Sequence, residues 1–589
     1  MRTILRVDMS TRQITKEDVP DRWADYGGRA LTSAVIFEEV PATTDPLGPE
    51  NKLIVAPGLL GGTTAPDGGR LSIGAKSPLT RGIKESNVGG QLAHTLARLG
   101  IAAIVVEGAP AEGLWSLVLE ADGSARLERT DEWAGLGNYE LADRIKATRP
   151  AGDRFATATI GPGGEKMLAA ASIAVTDPKG LPNRHAGRGG LGAVMAAKGL
   201  KAIIASDKGL PMTEHADKDA FVTATRKFAT ALHDHPVTGE ALPTYGTQVL
   251  TNIINEAGGY PTRNFSAGRF EFASALSGEN MRDITLERGG NVKHGCHSGC
   301  VIQCSRYWVD KDGHYKTKGI EYESVWSLGA DCGIGDLDAV GELDRACGDI
   351  GVDTIEMGAT LAVYMESGAI EFGDAVGALK ALMEVGTDSE LGNTLGNGAE
   401  ATGKKYGVDR IPTVKHQAMP AYDPRPIQGI GVTYATSTMG ADHTAGYAIT
   451  ANVLGVGGSV DPFSTIGQVA LSQGLQIATA MLDAMGLCIF VAFAVLDKPE
   501  ALEAISEMAT AHTGKDWNVD ELMLLGKKTL TYERLYNNKA GFTAADDRLP
   551  KFMYTEKLPP HDAVFSVPDA ELDTVYDFVA ETAAGMGIA

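Results

Sequence analysis

Lys293–Arg306 reads KHGCHSGCVIQCSR and sets Cys296, Cys300 and Cys304 inside nine residues of a chain that has only six cysteines. How these three thiols are read decides what kind of fold must surround them. Thiolates are donors for iron–sulfur clusters and for zinc, and a local run of three needs a fourth ligand from elsewhere in the chain. Cys488, in DAMGLCIF (Asp483–Phe490), is the candidate. Spacings of four would equally stack three thiols on one helical face, where cysteine packs as a small hydrophobe. Gly295 and Gly299 disfavour an unbroken helix at this point, as expected where backbone wraps a cluster. A zinc knuckle stays open, although the run holds no CxxC pair.

Working outward, the bulk composition describes a globular enzyme. The chain has 589 residues, 43% apolar and 22% charged, enough for three or four domains with sizeable cores. Its net charge of −22 argues against a nucleic-acid or anionic-membrane partner. The start, MRTILRVDMSTRQ, has no apolar segment behind its charges, and the longest apolar run, Leu487–Leu496, is about half a membrane span. These features point to the cytoplasm, where clustered cysteines bind metal rather than pair as disulfides. Glycine is in excess, 72 residues, which implies many sharp turns or close backbone approaches.

In chain order, residues 1–205 carry short β-like runs at Thr3–Val7, Lys52–Ala56, Leu71–Ile73, Ala102–Val106, Ser116–Leu119 and Lys201–Ala205. Between them lie the glycine turns GLLGGTTAPDGGR (Gly58–Arg70), ESNVGG (Glu85–Gly90), GPGGE (Gly161–Glu165) and NRHAGRGGLGAVM (Asn183–Met195). Glycine turns present successive backbone N–H groups to anions, and Arg70, Arg184 and Arg188 beside them offer forks for phosphate; tight turns with exposed arginines are the plainer alternative. None has a dinucleotide or P-loop context. Beyond residue 206 the spacing becomes helical, in Ala216–His233, in Leu337–Gly368 with a break near Gly348–Gly351, and in Ile466–Met485. Pro412–Pro426 is a proline-rich connector. The expected fold is α+β: a β-rich domain at 1–205, then two mainly helical domains at 206–415 and 416–589.

Seven stretches in order resemble the tungsten-containing aldehyde ferredoxin oxidoreductase family: GGRAL (Gly27–Leu31), GGRLSIGAKSPLTRGIKESNVGG (Gly68–Gly90), RHAGRGGLGAVMAAKGLKAI (Arg184–Ile203), EYESVWSLGADCGI (Glu321–Ile334), GVDTIEMG (Gly351–Gly358), YDPRP…GVTYATSTMGADH (Tyr422–His443) and DAMGLC (Asp483–Cys488). The resemblance implies a β-rich base seating two pterins whose dithiolenes hold one tungsten, with molybdenum a chemical equivalent. Arg70, Asn87, Gly89 and Arg184, with Arg188 nearby, would meet the pterin phosphates. Backbone oxygens of Asn87 and His185 would hold a bridging Mg2+. Paired D-x-x-G-L segments would grip the pterin rings. One is intact at Asp483–Leu487; the other departs, Gly348 standing where an acid is expected before Gly351, Val352 and Asp353, with Asp349 as a possible substitute.

The resemblance also implies a [4Fe–4S] cluster on Cys296, Cys300, Cys304 and Cys488, with one residue more between the first two ligands than the family pattern, and His297 as a lesser ligand candidate. Glu323 and His443 map onto the acid and imidazole beside the metal, a carboxylate to take a proton and an imidazole to polarise a carbonyl. Glu321 would share a face with Glu323 on a strand. Cys332 is a candidate extra metal ligand or a core residue, and Cys347 a core residue. The implied reaction is interconversion of aldehydes and carboxylic acids. Alternatives on the same scaffold are an aryl-CoA reductase of the benzoyl-CoA type and a non-catalytic electron-transfer subunit. With no second cluster motif, electrons are expected to leave to a ferredoxin or a dedicated iron–sulfur subunit, possible further partners being a flavin subunit that uses NAD, in an oligomeric or multi-subunit assembly.

Overall fold

The computed structural model describes every residue except Met1, Ala151 and Ala589. Among the described residues of the first 206, twelve strands build two six-stranded sheets. The first holds β1 (Thr3–Asp8), β2 (Gln13–Asp18), β3 (Leu53–Pro57), β4 (Leu71–Lys76), β5 (Ile83–Val88) and β6 (Ile101–Glu107), in the order β2-β1-β6-β3-β4-β5. The second holds β7 (Trp115–Leu119), β8 (Ala125–Arg129), β9 (Phe155–Thr159), β10 (Ile173–Val175), β11 (Arg184–Ala186) and β12 (Leu200–Ser206), in the order β11-β10-β9-β12-β7-β8.

Period-two alternation explains why so many of these strands are apolar throughout. Leu53, Val55, Ile104 and Val106 point into a core shared with Leu117, Ala158, Val175 and Ile203 of the second sheet. Their neighbours Ile54, Ala56, Ala103 and Val105 point the other way, into a core with the α1 helix (Gly28–Glu39) and the C-terminal helices. A sheet covered on both faces has no polar face. The six β-like runs expected from the sequence are all strands.

The helical expectations also hold. Lys218–His233, Leu337–Ile350, Thr354–Glu366 and Gln468–Met485 are helices, and the break expected near Gly348–Gly351 falls at Gly351, a left-handed cap at φ +79°. The Pro412–Pro426 stretch is a short hairpin followed by a strap, most of it buried.

Two helix ends are clasped by glycine loops of the sheet region, and this is what positions the site. At the end of Gln468–Met485, Leu59 N and Leu60 N donate to the carbonyls of Ala484 and Met485, both at 3.0 Å, and Arg70 N donates to Gly486 O at 3.1 Å. The last carbonyls of a helix lack partners within it, and the loop supplies them. The contact is so close that a Cβ on Gly58 would lie 2.1 Å from the Gly486 Cα. At the end of Leu337–Ile350 the same device recurs: Ser172 N donates to Gly351 O and Asp353 N to Ala170 O, both at 2.9 Å, and a Cβ on Gly161 would meet Ile350 O at 2.4 Å.

Candidate active site

Between the clasped helix ends and the sheet edges lies a deep cavity of about 380 Å3. β5 and β11 are the free edges of their sheets, and both line it. An edge strand keeps backbone N–H and C=O groups outside its ladder, so two adjacent edges offer oxygens to a cation or N–H groups to an anion. Asn87 and His185, on these strands, both line the cavity.

The sequence-expected residues are placed as follows. Arg70, Asn87, Gly89, Arg184, His185, Arg188, Val352, Asp353 and Asp483 all line the cavity, with Glu323, His443, Cys296, Cys304 and Cys488. Leu487 does not; it is fully buried in the core behind the wall. Cys300 lies outside the wall as well. The arginines differ in how much of their fork is free. Arg188 is committed to Asp353 and to the carbonyls of Ala418 and Ala441 (3.2, 2.6 and 2.6 Å), so it ties together the loops around His443. Arg184 donates to Ser305 Oγ at 2.7 Å, and its buried Nε has no partner. Arg70 gives only its Nε, to Asn87 Oδ1. Arg70 and Arg184 therefore keep donors for an anion, which fits the phosphate of an anionic cofactor.

Asp349 does not take the place left by Gly348. Its carboxylate accepts from Tyr139 N at 3.1 Å, at the start of the Asn138–Ala147 helix, away from the cavity. At Gly348 a Cβ would make ordinary contacts, 3.5 Å to His185 Nε2 and 3.7 Å to Tyr139, and Lys318, paired with buried Asp344, reaches the cavity. Glu321 and Glu323 do not share a strand face. Tyr322–Leu328 is a helix, and the two carboxylates diverge, Glu321 to Arg184 and Thr247, Glu323 to Ala421 N at 3.0 Å. Cys332 is fully buried and donates to the Ser327 and Gly358 carbonyls, outside the cavity wall.

Glu323 and His443 meet. Glu323 Oε1 stands 3.3 Å from His443 Nε2. Burial pushes the Glu323 carboxyl up to about 8 and the His443 imidazole down to about 4, so at neutral pH both are uncharged. Asp442 stays well below the ordinary carboxylate range because Lys84 and Arg188 face it. Tyr422 and Tyr447 flank His443 at ring separations of 6.0 and 6.2 Å, their hydroxyls bonded at 2.7 Å, and Phe493 continues the wall.

Several cavity residues carry no sequence signal. Arg29 lies inside GGRAL, yet its bidentate partner is Glu533 (2.8 and 2.9 Å) and it also reaches Asp483 at 3.2 Å. Glu85, on β5, is raised by burial, and Lys84 beside it pairs with Asp442 at 3.3 Å. Partners more than 300 residues away decide whether such charges can be buried, and no local pattern encodes them.

Cys296, Cys304 and Cys488 line the cavity, with Cys300 beside them just outside its wall. Cys296 Sγ lies 3.0 Å from where a Gly89 Cβ would be, and Gly90 N donates to Cys296 O at 3.1 Å. Cys488 N donates to Asp67 O at 2.9 Å, which fixes the fourth thiol against the same loop. The hydrogen bond to Cys296 raises the Cys300 thiol and lowers that of Cys296, and burial raises Cys304 and Cys488. A cluster of thiols with no disulfide is a donor set for a metal centre.

Thiols beside a deep, arginine-bearing cavity with a buried acid–imidazole pair are a constellation suited to redox chemistry. The chain belongs to the aldehyde ferredoxin oxidoreductase family: the model of that family's N-terminal domain matches residues 4–207, and the model of its domains 2 and 3 matches residues 223–579. It is 36% identical over 579 residues to the tungsten-containing aldehyde ferredoxin oxidoreductase of Pyrococcus furiosus, covering 94% of this chain and 91% of that one. The protein of that name from Thermococcus kodakarensis is 37% identical over 576 residues, with the same coverage. A more distant relative is the WOR-like subunit of aliphatic sulfonate oxidoreductase of Pyrococcus furiosus, 26% identical over 76% of this chain and 75% of that one. Among solved structures, the active-site complex BamBC of benzoyl coenzyme A reductase with 1,5-dienoyl-CoA shares the fold, with a TM-score of 0.80, 18% identity and coverage of 100% of this chain and 96% of that one. Among the described residues, no helix is long and apolar enough to cross a membrane.

Proposed function

We propose that the chain interconverts aldehydes and carboxylic acids at a tungsten–bispterin centre seated in this cavity, with electrons leaving through a [4Fe–4S] cluster on Cys296, Cys300, Cys304 and Cys488. The observation that carries the reading is the Glu323–His443 pair, buried and uncharged, at the wall of a cavity that the cluster thiols also reach. When bound, the tungsten centre supplies the two-electron oxidation and the oxygen transfer. The chain's own residues do the rest. Arg70 and Arg184 would hold the pterin phosphates, the Asn87 and His185 edges would supply carbonyls for Mg2+, and Asp483, raised by burial but bonded by Arg29 and Asn87, would serve the pterin.

Aldehyde oxidation releases protons from the carbonyl hydrate, and Glu323, once ionised, accepts one on Oε1, which has no hydrogen-bond partner. His443 Nε2 then donates toward the carbonyl oxygen, its neutral form kept by burial. Tyr422, Tyr447 and Phe493 exclude water and favour an apolar, uncharged aldehyde. The cysteine loop carries exposed Gly299 and Val301, so a ferredoxin-like or iron–sulfur partner would meet the cluster there. Placing Cys332 in the core removes the ligand that would have favoured aryl-CoA reduction.

Aldehyde-dependent reduction of a viologen dye by the purified chain tests the reading. Turnover of simple aldehydes is expected, with none of benzoyl-CoA. Unchanged turnover in both Glu323→Gln and His443→Ala would overturn it.

A further inference from the structure

The donor set at the cysteine loop is larger than four thiols. Asp67, from the Gly58–Arg70 loop, is fully buried, and neither carboxylate oxygen has a hydrogen bond of good geometry, Cys300 Sγ and Val301 N being the donors near it. His297 is 2% exposed; its Nδ1 meets Ser298 O at 2.9 Å and its Nε2 has no partner. A carboxylate oxygen of Asp67, a ring nitrogen of His297 and Cys300 Sγ lie within 4.8 Å of one another. A buried carboxylate without a well-placed donor is strongly disfavoured unless it binds a cation or neutralises. The cation at hand is the iron that Cys300 would hold. Cys300 is also the cluster thiol outside the cavity wall, flanked by exposed Gly299 and Val301.

We propose that Asp67 is a built-in oxygen ligand for the iron at the Cys300 corner, holding that iron when the Cys300 thiolate is lost. The proposal rests on the cluster assignment made above. Carboxylate for thiolate exchanges one anionic donor for another, so no electron moves, and the freed thiolate takes a proton from water. Asp67 suits the task better than His297, because imidazole is neutral and its Nδ1 is already held by Ser298 O. A corner with a second ligand keeps its iron when oxidants reach the loop.

The test uses protein purified without oxygen: wild type, Cys300→Ala, Asp67→Asn and the double variant, each assayed for iron per chain and by electron paramagnetic resonance. The wild type is expected to hold about four irons. Cys300→Ala is expected to keep about four with an altered signal, while the double variant falls to about three with a three-iron signal. Cys300→Ala at three irons, or a double variant at four, overturns the proposal and leaves the cluster assignment standing; an iron-free wild type overturns both. Asp67→Asn, which keeps every thiol, covers the case in which Cys300→Ala does not fold. Under ferricyanide it is expected to lose its fourth iron about ten-fold faster than wild type, and equal rates overturn the proposal.

Discussion

At the scale of the residue, the Glu323–His443 pair makes the firmest demands. Its pKa values are split by burial, Glu323 near 8 and His443 near 4. A base must be ionised to accept a proton, so kcat/KM for aldehyde oxidation is expected to rise with pH through about 8. The reverse reaction, which draws the proton from protonated Glu323, is expected to fall over the same range. Glu323→Gln should lower turnover by ~10²–10⁴-fold and flatten that limb; an unchanged pH–rate profile would contradict the assignment. Arg184→Met removes charge-assisted bonds worth about 1.5–3 kcal/mol each. The expected result is a lower pterin content, read by fluorescence of the oxidised pterin, with iron retained. The cysteine quartet was legible because thiols are rare and their spacing is chemical. Asp67, Arg29 and Glu85 were not, since nothing local distinguishes a buried charge from a solvated one. Arg29, for example, meets Glu533 at the other end of the chain.

At the scale of the element, the glycine loops do more than the anion nests expected of them. Two hold helix ends against the sheets; the end of Gln468–Met485 leads into Cys488, the proposed fourth cluster ligand, whereas the end of Leu337–Ile350 carries Cys347, which is buried in the core. Substitution therefore separates the two centres. Gly58→Val pushes into Gly486 and displaces Cys488, so iron and tungsten should be lost together, with helix content kept in circular dichroism. Gly351→Ala forces a left-handed backbone on a residue that disfavours it, costing about 1 kcal/mol or more. It should reduce tungsten and pterin while iron stays; loss of iron there would contradict the division. The same scale shows why some strands hid. β3 and β6 are apolar because both faces are covered, whereas β5, IKESNV, is a buried strand whose polar residues serve the cavity and conceal its period. Whether Glu321 and Glu323 share a face was open in the sequence, because alternation over three residues fits a strand and a helix start equally well.

At the scale of the whole molecule, the cavity joins the sheet region to helices from both later parts of the chain, so a cofactor filling it should bind only the folded state. Protein from tungstate-supplied cells is then expected to melt in one transition at a higher Tm than protein from tungstate-free cells. An unchanged Tm despite full tungsten loading would place the metal elsewhere. The α+β division was readable from the switch between short β-like runs and helical spacing near residue 206; the way the cavity is closed was not, because it depends on contacts between distant segments. The most direct measurement is elemental analysis of the purified chain for tungsten, molybdenum, iron and magnesium. About one tungsten and about four irons per chain are expected, as the proposed bispterin centre and [4Fe–4S] cluster require. Four irons with neither tungsten nor molybdenum would leave an electron-transfer protein and contradict the account.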